Sequence, residues 1–244
     1  RRALSWLDSA ADGDDPFFLY FPLPAPHTPI LPTPEFRGKS GTNAYGDFCL
    51  QVDDVVGQIM ASLDRHGLAE DTILVFTTDN GCSPRADLEE LAELGHRPSY
   101  VFRGHKADIY EGDHRVPFIA QWVGKVEAGS TCTDPTCLVD LYATCAEILD
   151  KKPDDFNAVD SVSMLPNLLG TATGPVREAT VHHSINGAFS IRQGKWKLEF
   201  CPGSGGWSAP GPRFKGGLAG LPKQQLYDLS VDPGEQNNLY TKET

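Results

Sequence analysis

The sequence has little that would suit a membrane or a nucleic acid. No apolar run approaches the roughly 18 residues of a transmembrane helix, and no stretch has the form of a signal peptide. Positive charge is scarce: 21 Lys and Arg stand against 33 Asp and Glu, a formal net charge of −12. Bulk attraction to nucleic acid or to an anionic membrane is therefore excluded. Any anionic substrate has to be met by a local basic cluster. The cysteines (Cys49, Cys82, Cys132, Cys137, Cys145, Cys201) match no zinc pattern, because the C-x4-C of Cys132 and Cys137 has no second pair behind it. An oxidising compartment would permit a Cys132–Cys137 disulfide; free thiols are the plainer reading. Internal repeats and low-complexity tracts are also missing.

What is there suits a globular α/β protein. The 244 residues are enough for one large domain, or for one with a smaller companion. The chain opens at Arg1 on Ala3, Leu4, Trp6 and Leu7, an apolar helical face. A start inside an element leads us to expect a fragment, so the lack of a signal peptide says little about compartment. Phe17–Phe21 is a continuous apolar run, expected to be a buried strand. Pro22, Pro24, Pro26, Pro29, Pro32 and Pro34 follow, and they forbid helix or sheet interior. The spacing of Phe48, Val52, Val55, Val56, Ile59, Met60 and Leu63 predicts a helix over Tyr45–His66, ended by Gly67. Thr72–Thr77 and Phe118–Val123 read as strands, Ala86–Leu94 and Leu138–Leu149 as helices. The character then changes. Short strands are expected at His182–Ser184, Phe189–Arg192, Lys195–Phe200 and Gln225–Asp228, as a small antiparallel sheet. The expected domains are 1–175, an α/β core, and 176–244, a small antiparallel subdomain.

Four places could carry chemistry. His27 sits in the stiff proline loop, where a fixed backbone would aim an imidazole for proton transfer; a lone histidine is more often an ordinary surface residue. Asp79-Asn80 offers two hard oxygen ligands from one turn, suited to Ca²⁺ or Mg²⁺, although D-N-G is commonly a plain turn. Arg103–Lys106 and Glu111–Arg115 concentrate cations in an acidic protein and could focus an anion, or could be a solvated loop. Cys82-Ser83-Pro84-Arg85 invites a catalytic-cysteine reading.

Four segments in order resemble the sulfatase family: FPLPAPHTPILP, YGDFCLQVDDVVGQIMASLDRHGLAEDTILVFTTDNG, RGHKADIYEGDHRVPFI and QQLYDLSVDPGEQNNLY. The resemblance covers nearly the whole chain. It implies an alkaline-phosphatase-like fold: a mixed sheet between helices, here partial, plus a small C-terminal antiparallel sheet. It also implies a sulfuric ester hydrolase, arylsulfatase-like or a polysaccharide sulfatase. Asp79 and Asn80 would be metal ligands, with Ca²⁺ most usual. His27 would bond a sulfate oxygen or the leaving oxygen, and Lys106 would hold a sulfate oxygen. The family's formylglycine nucleophile arises from C-x-P-x-R or S-x-P-x-R, which does not occur in the sequence; the resemblance places this motif, an Asp-Asp metal pair and a further Lys and His in an N-terminal half. Cys82–Ala86 misses the motif, since Ala86 stands where arginine is needed; it reads as a coincidental loop. Asp113 stands where the family usually has glycine. The expected partners are a sulfate ester substrate and a missing N-terminal half, with no nucleic acid and no membrane; this chain alone would be inactive. The family's tendency is periplasmic or extracellular. Two alternatives stay open: a phosphodiesterase or phosphonate monoester hydrolase of the same superfamily, and a non-catalytic binder of sulfated glycans. Specificity is expected in the loops Lys39–Asn43, Arg97–Phe102 and Gly203–Gly220, where Trp207 could stack on a sugar or aryl ring or be an ordinary loop aromatic.

Overall fold

The computed structural model describes residues 1–152 and 157–240. They fall into two compact units. The first is Arg1–Thr77, Cys82–Tyr100 and Pro117–Val123; the second is Thr78–Gly81, Val101–Val116 and Gly124–Thr244, whose last four residues lie outside the described set.

In the first unit, helices α1 (Arg2–Ala11) and α2 (Ala44–Arg65) pack through a core of Leu7, Ile59 and Leu63, with Ala3, Leu4, Phe17, Leu19 and Leu74 around it. The helical spacing read in the sequence places these residues on facing stripes. Asn43 caps α2: its side-chain oxygen accepts from the Tyr45 N–H at 3.0 Å. Its amide donates to the Ala86 carbonyl at 2.9 Å and to Glu90 Oε2 at 2.8 Å. One residue therefore starts α2 and ties it to the next segment, a 3₁₀ turn (Pro84–Ala86) leading into α3 (Leu88–Glu93). Strands β1 (Leu74–Thr77) and β2 (Phe118–Gln121) pair antiparallel, with Thr77 opposite Phe118.

Phe17–Phe21 is not the buried strand expected. It is extended chain without a ladder, and Phe18 and Tyr20 are 80% and 79% exposed. Alternation explains this. Phe17 and Leu19 face the α1–α2 core, while the intervening side chains point away, and no described segment pairs with this backbone.

The second unit holds α4 (Glu111–His114), α5 (Asp140–Ile148) and α6 (Leu165–Leu168). It also contains a four-stranded antiparallel sheet in the order β3 (Thr180–His183), β4 (Phe189–Gln193), β5 (Trp196–Glu199), β6 (Gln225–Asp228). This is the small C-terminal sheet the sequence announces. Asp140, fully buried at the start of α5, accepts from the Cys137 and Val162 N–H groups and pairs with Arg177. All six cysteines are free thiols, so Cys132 and Cys137 form no disulfide.

Candidate active site

Asp79, Asn80 and Lys106 belong to the second unit, whereas His27 belongs to the first. The turn carrying Asp79 and Asn80 directly follows β1. Its last residue, Gly81, lies hard against the backbone of α4. A Cβ at Gly81 would fall 2.0 Å from the Gly112 carbonyl oxygen, so only glycine permits this approach. The Gly81 N–H donates to the Asp113 carbonyl at 2.8 Å and to Asp113 Oδ1 at 3.1 Å. The Asp113 carboxylate also accepts from the Ala107 N–H, next to Lys106. Asp113, the departure from the family pattern, thus joins the Asp79-Asn80 turn to the lysine loop. Burial pushes its carboxyl up to about 6, against the pull of the two N–H bonds.

The lysine loop is not a solvated charged loop. Ala107, Asp108, Ile109, Tyr110 and Glu111 are all buried. Asp108 Oδ2 accepts from the His105 N–H at 3.0 Å, and the Gly112 N–H donates to the Arg103 carbonyl at 2.8 Å. The loop is folded back on itself, with Lys106 half-buried at its bend. Among the described residues, the Lys106 ammonium has no hydrogen bond or ion pair. An unpaired cation on a rigid loop of an acidic chain is a ready anion contact.

The Asp79 carboxylate is exposed. Neither it nor the Asn80 side-chain amide makes a hydrogen bond or ion pair among the described residues. The Asn80 main chain is held by Thr78 Oγ1, which donates to its carbonyl at 3.2 Å. Two open, hard oxygen donors fit a calcium or magnesium ion in kind. They do not fit it in number, because calcium takes six to eight oxygens. No group of three or more His, Cys, Asp or Glu side chains able to hold a metal occurs among the described residues.

His27 is exposed, between two cis X–Pro peptide bonds. Its Nδ1 lies 2.8 Å from the Thr28 carbonyl, which can only accept, so Nδ1 carries the proton. That leaves Nε2 as the ring's acceptor in its neutral form.

Cys82 has the surroundings of a structural thiol. Burial pushes its thiol up, against a hydrogen bond from Tyr45, so the thiolate is disfavoured. Sequence reasoning also overlooked a buried polar group beneath the lysine loop. Lys197 Nζ on β5 is 2.8 Å from Glu235 Oε1, 3.1 Å from Glu111 Oε1 and 3.6 Å from Glu199 Oε1, and donates to the Ile109 carbonyl at 2.9 Å. Beside it the His114 and His182 rings stack with centroids 3.9 Å apart. Glu111 and Glu235 do lie in the motifs quoted above. Nothing in their local spacing shows that they meet.

The sulfatase family model matches residues 1–151. The N-acetylgalactosamine-6-O-sulfatase of Bacteroides thetaiotaomicron is 36% identical over 93% of this chain and 44% of its own length. Human arylsulfatase A is 32% identical over 93% of this chain and 45% of its own. A solved B. thetaiotaomicron structure, described with the metabolism of multiple glycosaminoglycans, superposes with a TM-score of 0.83 at 33% identity, covering 99% of this chain and 50% of that one. A Pseudoalteromonas sulfatase, PsFucS1, gives a TM-score of 0.77 at 25% identity, covering 97% and 46%. The chain thus spans about half the length, or less, of the relatives it matches. With its lysine loop and its open Asp-Asn turn joined through one buried carboxylate, and with this agreement along most of its length, the chain belongs to the sulfatase family.

Proposed function

We propose that the chain is part of a sulfuric ester hydrolase acting on an aryl or carbohydrate sulfate. The carrying observation is the pairing, through Asp113, of two open oxygen donors with an unpaired lysine. Sulfate ester cleavage builds charge on the leaving oxygen and on the non-bridging oxygens of the transferred group. Lys106 donates to a non-bridging oxygen and offsets charge on the bridging one. Asp79 and Asn80 would supply two of the ligands of a divalent cation, calcium in the first instance, and a bound cation would give Lewis-acid stabilisation to the sulfate oxygens. By the family resemblance, His27 would supply the bond to a sulfate oxygen or to the leaving oxygen. The nucleophile and the remaining metal ligands come from a part of the protein outside this sequence. The relatives support this reading: they are named as sulfatases of amino sugars and as an arylsulfatase.

The test uses the complete protein with an aryl sulfate, a sulfated monosaccharide and the matching phosphate ester. Sulfate turnover should dominate, stop with a chelator, and fall by roughly 10²–10³ in kcat in Lys106→Met. Faster phosphate than sulfate turnover would move the reaction to phosphoester hydrolysis. An unaffected Lys106→Met would remove the lysine from the mechanism. The 244-residue chain alone should be inert; turnover by it would refute the division of the site.

A further inference from the structure

Asp108 is a buried carboxylate with an unusual task. Its Oδ1 accepts from the Trp207 N–H at 2.7 Å and from the Ser208 N–H at 2.9 Å, while Oδ2 holds the His105 N–H. The Ile109 N–H donates to the Ser204 carbonyl at 2.8 Å. A Cβ at Gly206 would fall 2.1 Å from the Ala107 carbonyl oxygen, so the two backbones touch. The Gly203–Ser208 segment is therefore stapled to the loop that carries Lys106. A carboxylate taken out of water needs compensation, which three N–H bonds supply here. They hold the backbone of a largely polar, glycine-rich loop in one place, and the side chain that this places is Trp207.

Trp207 is half-buried, and the Arg213 guanidinium lies 4.4 Å above its ring centroid. Arg213 is exposed and has no hydrogen bond or ion pair among the described residues; the same is true of Lys215. In a chain of net charge −12, cations left without carboxylates beside a loop that bears another unpaired cation form a local positive field. An indole presents a flat apolar face suited to the C–H face of a pyranose. A guanidinium stacked on it keeps its N–H edge free for a planar or tetrahedral anion.

We infer that Trp207 and Arg213 form a subsite for the sugar next to the one bearing the scissile sulfate, and that this neighbouring sugar is anionic. The substrate class is then an acidic oligosaccharide, not a free aryl sulfate. Trp207 stacks on the neighbouring ring and Arg213 takes its carboxylate or sulfate. Asp108 is the positioning residue that fixes the distance between this subsite and Lys106. The inference rests on the sulfatase reading above.

The complete protein would be assayed with a sulfated monosaccharide and three sulfated disaccharides, whose neighbouring sugar carries a carboxylate, a sulfate or neither. Trp207→Ala should raise KM about tenfold for all three disaccharides and leave the monosaccharide within about twofold. Trp207→Phe should restore most of the loss. Arg213→Gln should raise KM about tenfold only where the neighbour is charged, and the more affected disaccharide identifies the anion. Equal losses on monosaccharide and disaccharides, or no change in either variant, would overturn the subsite. An Arg213→Gln effect on the uncharged disaccharide as large as on the charged ones would overturn its anionic character. Calorimetric titration with the desulfated charged disaccharide needs no turnover. Saturable binding lost in Trp207→Ala, in a protein that hydrolyses no sulfate ester, would sustain the subsite and sink the sulfatase reading alone. Turnover without any of these differences would sink the subsite alone.

Discussion

Replacing Lys197 by methionine should be among the most damaging single changes in the second unit. The ammonium is 0% exposed, and Glu111, Glu199 and Glu235 converge on it. Burial opposes its charge, but Glu235, Glu111 and Glu199 more than offset this and raise its affinity for a proton. The carboxylates are not equivalent. Burial pushes Glu111 up, yet Lys197 and Arg192 outweigh that and bring it below the usual range, so it is ionised. Burial pushes both Glu199 and Glu235 up, Glu199 the further of the two, so the proton held by this coupled pair is drawn towards Glu199. Lys197→Met would strand ionised carboxylates in a dry interior. Breaking such a pair costs about 3–5 kcal/mol, or roughly 6–20 °C in melting temperature for a domain of this size. Glu111→Gln should cost nearly as much, since Lys197 and Arg192 lose their shared anion. Glu199→Gln replaces a neutral acid by a neutral amide and should cost under about 1 kcal/mol. Thermal melts of the three variants would decide. Equal losses in Glu199→Gln and Glu111→Gln, or a Lys197→Met shift below about 2 °C, would refute the charge assignment.

A pH dependence follows from the stacked histidines. Burial, with Lys197 adding, pushes His114 down to about 4; burial, with His114 adding, pushes His182 down to about 2. The unfolded chain therefore binds more protons than the fold below the ordinary histidine value of 6.5. The contribution of the two histidines should be full above pH 6.5 and be lost as pH falls toward 4, with His114 alone accounting for about 3 kcal/mol of that loss. His114→Gln should make melting temperature fall less steeply over that window, with His182 keeping its own share; an unchanged slope would show that the His114 ring is not buried neutral. Asn43→Ala should cost about 1–2 kcal/mol, because the α2 cap and the bond to Ala86 vanish together; a urea midpoint within error of the wild type would count against the double role. In the complete protein, calcium should raise the melting temperature, and Asp79→Asn should demand on the order of tenfold more calcium for the same rise. An identical calcium titration in the variant would place the ion elsewhere.

Much of the architecture was legible in the residues themselves. Helix α2 runs over Ala44–Arg65 where the spacing of Phe48 to Leu63 predicts Tyr45–His66, and the four strands of the C-terminal sheet lie within a few residues of their expected positions. These features are encoded over three to ten neighbours, so periodicity and turn residues suffice to find them. The family is legible for the same reason, since its motifs are contiguous. The strand expected at Phe17–Phe21 failed because a strand is defined by a partner, and apolar composition says nothing about whether a partner is at hand.

Only the tertiary structure decided which charges meet. Lys197 and Ile109 are 88 positions apart, and Glu111 and Glu235 are 124 apart, yet they share one buried cluster. Asp113 read as a small departure from the family pattern, and packing makes it the joint between the Asp79-Asn80 turn and the lysine loop. Asp108 drew no attention, and packing makes it the anchor of Trp207. Local sequence specifies how each segment bends and which face is apolar. The partner of a buried charge is set by segments far along the chain, because an unpaired charge is too costly to bury and the fold is restricted to packings that bring its partners in.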